Sequence, residues 1–279
     1  MAINYASKAS PHVVERFKLG SRTEGIFSNK YDFDGVRSIK VYTNDLVTLN
    51  DYNRTASSNR YGTPTELGDT VQELTMSQDK SFVYTIDKGN AKDQLNIKKA
   101  NATLQENIDC VVIPAVDKYR LNILATKAGT EVVTGALTKA NIIEKIMTAG
   151  ATMSNDLVPL AGRTLLITES VYVQAKLSDQ IMNNDNLGGK VLSNGTVGTL
   201  NGMEVRVIPD SYMPDAKVNF LIVNKTAALA PVKIKDYRIH QDPPGVSGNL
   251  VEFRMYHDCF VLKTREKAIL RGVTTALGG

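Results

Sequence analysis

A chain of 279 residues with 42% hydrophobic and 22% charged residues has the composition of an ordinary folded protein, long enough to bury a sizeable core in one or two domains. Its 33 basic and 29 acidic residues leave a formal charge of +4, too mild for a dedicated nucleic-acid binder, which carries a basic stripe or a strongly basic domain. No apolar run approaches the roughly 18 residues of a membrane span, no secretory signal opens the chain, and the isolated Cys110 and Cys259 read as small buried hydrophobes in a reducing compartment.

Residues 1–35 mix polar, aromatic and charged side chains without a period. Ile3, Tyr5, Val13, Val14, Phe17, Ile26, Phe27, Tyr31 and Phe33 are scattered among them. A frayed terminus needs no such anchors. The pattern predicts an arm laid over a surface, with Phe17 and Phe27 as candidates for contact with a neighbouring subunit. Residues 36–89 predict an extended two-stranded loop. Val36, Ser38, Lys40 and Tyr42 alternate with Arg37, Ile39, Val41 and Thr43, Leu46, Val47 and Leu49 extend the run, and a return run from Val71 to Lys88 alternates likewise. Strands of this length would each reach about 45 Å. An isolated ribbon is marginal in water, so it needs a surface to lie on. The connecting tip, Asp51 to Thr65, is rich in turn formers. Arg54, Arg60 and Tyr61 within it are of interface-enriched types and are candidate inter-subunit contacts; the alternative is an exposed mobile loop.

Asp87 to Asn90 punctuates the chain, after which Ile97, Ala100, Leu104, Ile108 and Val111 recur at spacings of three and four. Val116, Tyr119, Ile123 and Leu124 resume the stripe beyond Pro114. One long helix is predicted from Ala91 to Gly129, about 55 Å at 1.5 Å per residue, kinked at Pro114 because proline lacks a backbone donor. A compact α/β pattern follows. Thr138 is placed to cap a helix bearing Ile142, Ile143, Ile146 and Met147, Arg163 to Ile167 reads as a strand, and Thr168 is placed to cap a helix through Val171, Ala175 and Leu177. Asn183 to Gly198 is a Gly/Asn-rich loop. Strands are predicted at Met203 to Ile208, Val218 to Val223 and Ala227 to Lys235, and the segment Leu250 to Thr264 alternates before turning apolar at Cys259 to Leu262.

No catalytic constellation appears. Of the three histidines, His12, His240 and His257, none lies in a metalloprotease pattern, and no P-loop, nucleophile elbow or dinucleotide fingerprint is present. Gly195, Gly198 and Gly202 are too widely spaced for a phosphate cradle and read as a turn before a strand. His257-Asp258 could form a pH-sensitive pair, or with His240 a metal site, but the plainer reading is a histidine on a strand surface. Lys263, Arg265, Lys267 and Arg271, broken by Glu266, read as a solvated strand edge. No cofactor or metal is expected, and the chain is not expected to be an enzyme.

The order of these elements resembles the major capsid proteins of tailed phages, which share the α+β Hong Kong 97 fold. That family runs from an N-terminal arm through an extended two-stranded loop and a long spine helix into an axial domain, and closing strands return to a peripheral domain. The matching pieces here are 1–35 for the arm, 36–89 for the loop, 90–134 with 238–279 for the peripheral domain and its spine, and 135–237 for the axial domain. TLLITESVY from Thr164 to Tyr172 is similar to the family's strand entering an axial helix. GTVGTLNGMEVRVIPDSYMP from Gly195 to Pro214 is similar to its glycine-spaced phrase before a strand, and NFLIVNKTAALAPVKIKDYRI from Asn219 to Ile239 to its later strand pair. The resemblance implies a structural protein that assembles into hexamers and pentamers of an icosahedral shell around double-stranded DNA, contacted non-specifically. Implied partners are further copies of the chain, a portal and a scaffolding protein, with no membrane. Its place would be the virion, after assembly in the host bacterial cytoplasm. Some relatives carry a removable helical segment before the arm; here the expectation is either a separate scaffolding protein or an already mature sequence, and Met1 favours the former. The Lys–Asn cross-link of some relatives has no assignable counterpart. The alternatives are an encapsulin-like nanocompartment shell, which shares the fold, and an unrecognised α/β enzyme.

Overall fold

The computed structural model describes residues 16–31, 33, 36–93, 99–178 and 196–276. Ile3, Tyr5, His12, Val13, Val14, Ile97 and the predicted loop as far as Gly195 lie outside the described residues. In chain order come β1 (Ser38–Asn44), β2 (Asp69–Thr75), β3 (Gln78–Asp87), α1 (Lys88–Asp93), α2 (Ala100–Asn107), a π-helical turn (Ile108–Val112) and α3 (Ile113–Thr126). The remaining elements are β4 (Thr130–Val133), α4 (Ile142–Asn155), β5 (Arg163–Thr168), α5 (Glu169–Lys176), β6 (Thr196–Leu200), β7 (Met203–Ile208), β8 (Val218–Asn224), β9 (Ala228–Leu229), β10 (Val232–Gln241), β11 (Gly248–His257), β12 (Phe260–Val261) and β13 (Ile269–Val273).

The largest sheet has the order β4-β13-β8-β5-β7-β6. Its central strands are apolar on both faces because both faces are covered. Leu165 and Ile167 of β5, with Phe220 and Ile222 of β8, point to α4 and α5, where they meet Ile142, Ile146, Met153, Val171 and Ala175. Leu166, Leu221 and Val223 point the other way, onto Leu121 and Leu124 of α3 and onto Ile26 and Phe27 of the N-terminal segment. Every residue of β5 is buried. Each aliphatic side chain so covered contributes about 1.5–3 kcal/mol, so this sheet is the body on which the rest is mounted. Thr168 does sit at the N-terminus of α5, but its hydroxyl donates to the Asn219 carbonyl, and the free Ser170 N–H is taken by Asp210 from outside the helix. Thr138 precedes α4 by a full turn: Asn141 occupies the cap position, and its side-chain oxygen accepts from the Thr138 N–H.

Beside this body, β10, β11 and β3 form a three-stranded antiparallel sheet. One face, with Phe82 and Phe253 stacked at 5.0 Å, packs on Leu104, Ile108, Val112 and Val116 of the long helix. That helix runs end to end from Ala100 to Thr126, about 40 Å at 1.5 Å per residue, shorter than predicted. The irregularity expected at Pro114 is met one turn earlier. The Ile113 N–H reaches back to the Ile108 carbonyl in the π turn, and Pro114, which has no N–H to give, follows directly on that widened turn.

Two further predictions are corrected. The return run from Val71 to Lys88 is not one strand. It breaks at Met76–Ser77; β2 pairs with β1 over seven residues, while β3 leaves the ribbon to pair with β11. Met76 shares the buried face of Leu74 and packs with it against Leu229 and Leu262 at the point where the chain leaves β1. Residues 227–235 are likewise two strands, β9 and β10, separated at Pro231, which cannot donate to a ladder. The boundary drawn at 237/238 falls inside β10, and β13, assigned from sequence to the outer unit, lies in the six-stranded sheet between β4 and β8.

Candidate functional site

The ribbon is the part of the chain least committed to its own core. Its strands give only Val41 and Leu74 to the buried cluster at its base. Beyond Asn44 the chain projects as an ordered tip. Asn53 accepts three hydrogen bonds through its side-chain oxygen, from Thr55 N, Thr55 Oγ1 and Ala56 N at 3.0, 2.9 and 3.2 Å, and its own N–H donates to the Arg60 carbonyl. Arg60 Nε donates to the Ala56 carbonyl at 2.8 Å, and Tyr61 stands edge-on to Tyr52 at 4.9 Å. Arg54, Arg60 and Tyr61 are therefore together on one exposed tip. Leu46, Val47, Leu49 and Leu67 nearby are exposed as well, Leu46 and Leu49 almost completely.

The two arm candidates separate. Phe17 is fully exposed beside the long helix, where its carbonyl meets Cys110 Sγ at 3.8 Å and Arg16 and Lys18 lie near Glu106 and Asp109. Phe27, expected to anchor in a neighbour, is instead buried in the chain's own core beneath the Arg120 guanidinium, 5.4 Å from its ring. Sequence could not distinguish them, since both are isolated aromatics in an aperiodic segment.

Two buried carboxylates hold these extensions to the body: Asp117, which sequence reasoning passed over, and Asp258, which it considered only as a pH-sensitive partner of His257. Asp117 of α3 binds the arm: Oδ1 accepts from Ser21 Oγ at 2.8 Å and Thr23 Oγ1 at 2.6 Å, and Oδ2 from the Arg22 N–H at 2.7 Å. Arg206 of β7 donates to the Arg22 and Glu24 carbonyls from the sheet side. Asp258 binds the ribbon's root: Oδ2 accepts from Ser77 N and Oγ at 2.7 and 3.0 Å, and Oδ1 from Tyr119 OH at 2.6 Å and Cys259 N at 2.7 Å. Burial, with Asp258 adjacent, pushes the Tyr119 phenol up to about 12, and burial pushes the Cys259 thiol up to about 12. Burial, helped by Arg120, holds the His257 imidazole below its ordinary value. A lone Asp in an apolar helix stripe was the available signal for Asp117; a turn after β11 gave none for Asp258.

Both carboxylates are spent on donors within the fold. The Arg163 guanidinium is buried against the carbonyls of Gly150, Val158 and Pro159 at the C-terminal end of α4, a favourable place for a cation. The metal reading of His240 with His257 fails on distance. His240 sits across from Leu250 near one end of the β10–β11 hairpin, His257 at the other, about 23 Å along the strand. His240 lies on the strand surface beside Glu252, and His257 stands buried edge-on to Tyr119. Among the described residues no group of three or more His, Cys, Asp and Glu could hold a metal ion, and no helix is long and apolar enough to cross a membrane.

No protein-family model and no curated protein matches the chain. Solved structures do. A structure from Mycobacterium phage Che8 matches with a TM-score of 0.76 at 15% identity, covering 96% of each chain. The mature capsid of bacteriophage PhiM1 matches with a TM-score of 0.74 at 12% identity, covering 99% of this chain and 93% of that one. The capsid structure of the Cyanophage P-SCSP1u matches with 0.73 at 12% identity, covering 96% and 92%. With 96% or more of the chain matched at so low an identity, the likeness is one of architecture: this chain has the α+β capsid fold of the tailed phages, the Hong Kong 97 fold.

Proposed function

We propose that the chain is a major capsid protein that assembles into hexamers and pentamers of an icosahedral shell around double-stranded DNA, and that it is not an enzyme. The observation that carries this is the ribbon: a tip with exposed Leu46, Val47, Leu49 and Tyr61 that its own body does not cover, on a fold matched over 96% of its length by phage structures. A monomer gains nothing from holding such an arm in water; a subunit that lies across a neighbour buries it. Closed shells repeat symmetric contacts, and each can be weak because later ones form at high effective concentration.

In this reading the ribbon 36–75 reaches the neighbouring subunit through Arg54, Arg60 and Tyr61, and Phe17 is a second contact. The helix from Ala100 to Thr126 with the β3–β11–β10 sheet serves as the peripheral unit. Residues 135–237, completed by β4 and β13, serve as the axial unit at the local symmetry axes. The interior tolerates DNA without gripping it, in keeping with a net charge of +4, and the shell is part of the virion, built with a scaffolding protein and closed by a portal in the host cytoplasm. The test is electron microscopy of the expressed protein beside its Arg60→Glu variant. Wild type is expected to give closed shells, and the variant soluble folded subunits with a reduced shell yield. A monomeric wild type that never closes would defeat the proposal, and normal shells from the variant would remove Arg60 from the contact. Shells loaded with an enzyme through a cargo peptide, with no DNA, would favour a nanocompartment.

A further inference from the structure

Everything that fixes the direction of the ribbon is gathered at one place. β1 and β2 pair with each other alone among the described residues, so no sheet ladder ties the ribbon to the body. The chain turns there, at Met76–Ser77, from the ribbon into β3. Asp258, 2% exposed, takes both the N–H and the hydroxyl of Ser77 on one oxygen while Tyr119 of the spine helix occupies the other. One turn of strand away, the Gln72 side chain imitates a strand partner: its Nε2 donates to the Val261 carbonyl at 3.0 Å and its Oε1 accepts from the Lys263 N–H at 2.9 Å. Tyr256 OH closes the turn on the Met76 carbonyl at 3.0 Å. The two side-chain clamps stand either side of the apolar plug formed by Leu74 and Met76.

We propose that Asp258 and Gln72 form a two-point latch that sets the angle at which the ribbon leaves the body, with Met76–Ser77 as its pivot. Two fixed points define a direction, whereas the apolar plug alone holds position without fixing orientation. Gln72 lies in the alternating stretch of β2 where any polar residue would serve solubility, and only glutamine's donor and acceptor fit a broken ladder. Both residues are positioning residues; neither is at the tip that meets the neighbour. The consequence for assembly rests on the capsid reading; the latch itself does not.

Hydrogen exchange on the soluble full-length subunit tests the latch, with Asp258→Asn and Gln72→Glu compared with wild type. Gln72→Glu keeps the acceptor for Lys263 and loses the donor to Val261, at a partly buried position on the ribbon, outside the cores of the large sheet. Both variants are expected to raise exchange at 38–44 and 69–75 by tenfold or more, with 163–168 and 218–224 unchanged. Unchanged protection of the ribbon in Gln72→Glu, or loss spread equally over the large sheet, overturns the latch. Microscopy then separates the two readings. Shells of mixed size and irregular outline from an unlatched variant support control of ribbon angle, and uniform wild-type-like shells refute that control. Failure of the wild type itself to form shells refutes the capsid reading while leaving the exchange result standing.

Discussion

Removing the Asp117 carboxylate should release the arm and cost more than any one of its hydrogen bonds. In Asp117→Ala the hydroxyls of Ser21 and Thr23 and the N–H of Arg22 lose their acceptor at once, and the Arg120 guanidinium loses a nearby negative charge that favours it. Deleting one member of a buried, hydrogen-bonded charge cluster costs about 3–5 kcal/mol. For a chain of this length that lowers the thermal midpoint by roughly 6–12 °C. Asp117→Asn separates geometry from charge. With its oxygen at the Oδ1 position the amide keeps Ser21 and Thr23 but turns its NH2 toward the Arg22 N–H; flipped, it keeps Arg22 and loses two. Either way at least one buried donor is stranded, at about 1–3 kcal/mol, so Asn should fall between wild type and Ala. The assay pairs thermal unfolding with limited trypsin digestion, because the Arg22 bond, whose N–H Asp117 holds, should be cleaved faster once the arm leaves the helix. An alanine variant within about 1 kcal/mol of wild type, or with Arg22 still resistant to trypsin, would refute this account of how the arm is held.

Gly272→Ala should destabilise by about 1–3 kcal/mol or more, because a Cβ there would lie 2.3 Å from the fully buried Phe220 ring across the β13–β8 pair; Phe220→Leu added to it should recover part of the loss in urea unfolding, and an additive double variant would contradict the clash. Cys259 links stability to alkaline pH. Its thiol ionises near 9 when unfolded and at about 12 when folded, so its contribution is complete below pH 9 and drains away as pH rises from 9 toward 12. The urea midpoint of wild type should therefore fall faster between pH 9 and 10 than that of Cys259→Ala, and parallel slopes would count against it. His257 acts at the acid end. Its folded value lies below 6.5, so the unfolded chain takes up the proton first, and stability present above pH 6.5 is lost as pH falls beneath it. His257→Phe should flatten the wild-type decline between pH 6.5 and 5, and an unchanged profile would show that the ring titrates alike in both states.

Period and punctuation in the sequence determined where the elements lie. The apolar runs at 163–168, 203–208 and 218–224, the helices at 142–155 and 169–176 and the spine from Ala100 onward all stand close to where their spacing put them, because a residue that must alternate or recur to meet a core writes that need into its neighbours. The exposed tip with Arg54, Arg60 and Tyr61 was legible for the same reason: turn formers there have no core to serve. What tertiary structure alone decided is which partner each strand takes. Period two is identical in a ribbon and a sheet, so nothing local in Val71 to Lys88 says that the chain abandons β1 at Met76 for a strand some 170 residues later. Phe17 and Phe27 are indistinguishable until the core that receives one of them exists. The anchoring roles of Asp117 and Asp258 stayed hidden because their meaning lies in donors brought from distant segments: a hydrogen bond needs proximity in space, and the sequence records proximity only along the chain.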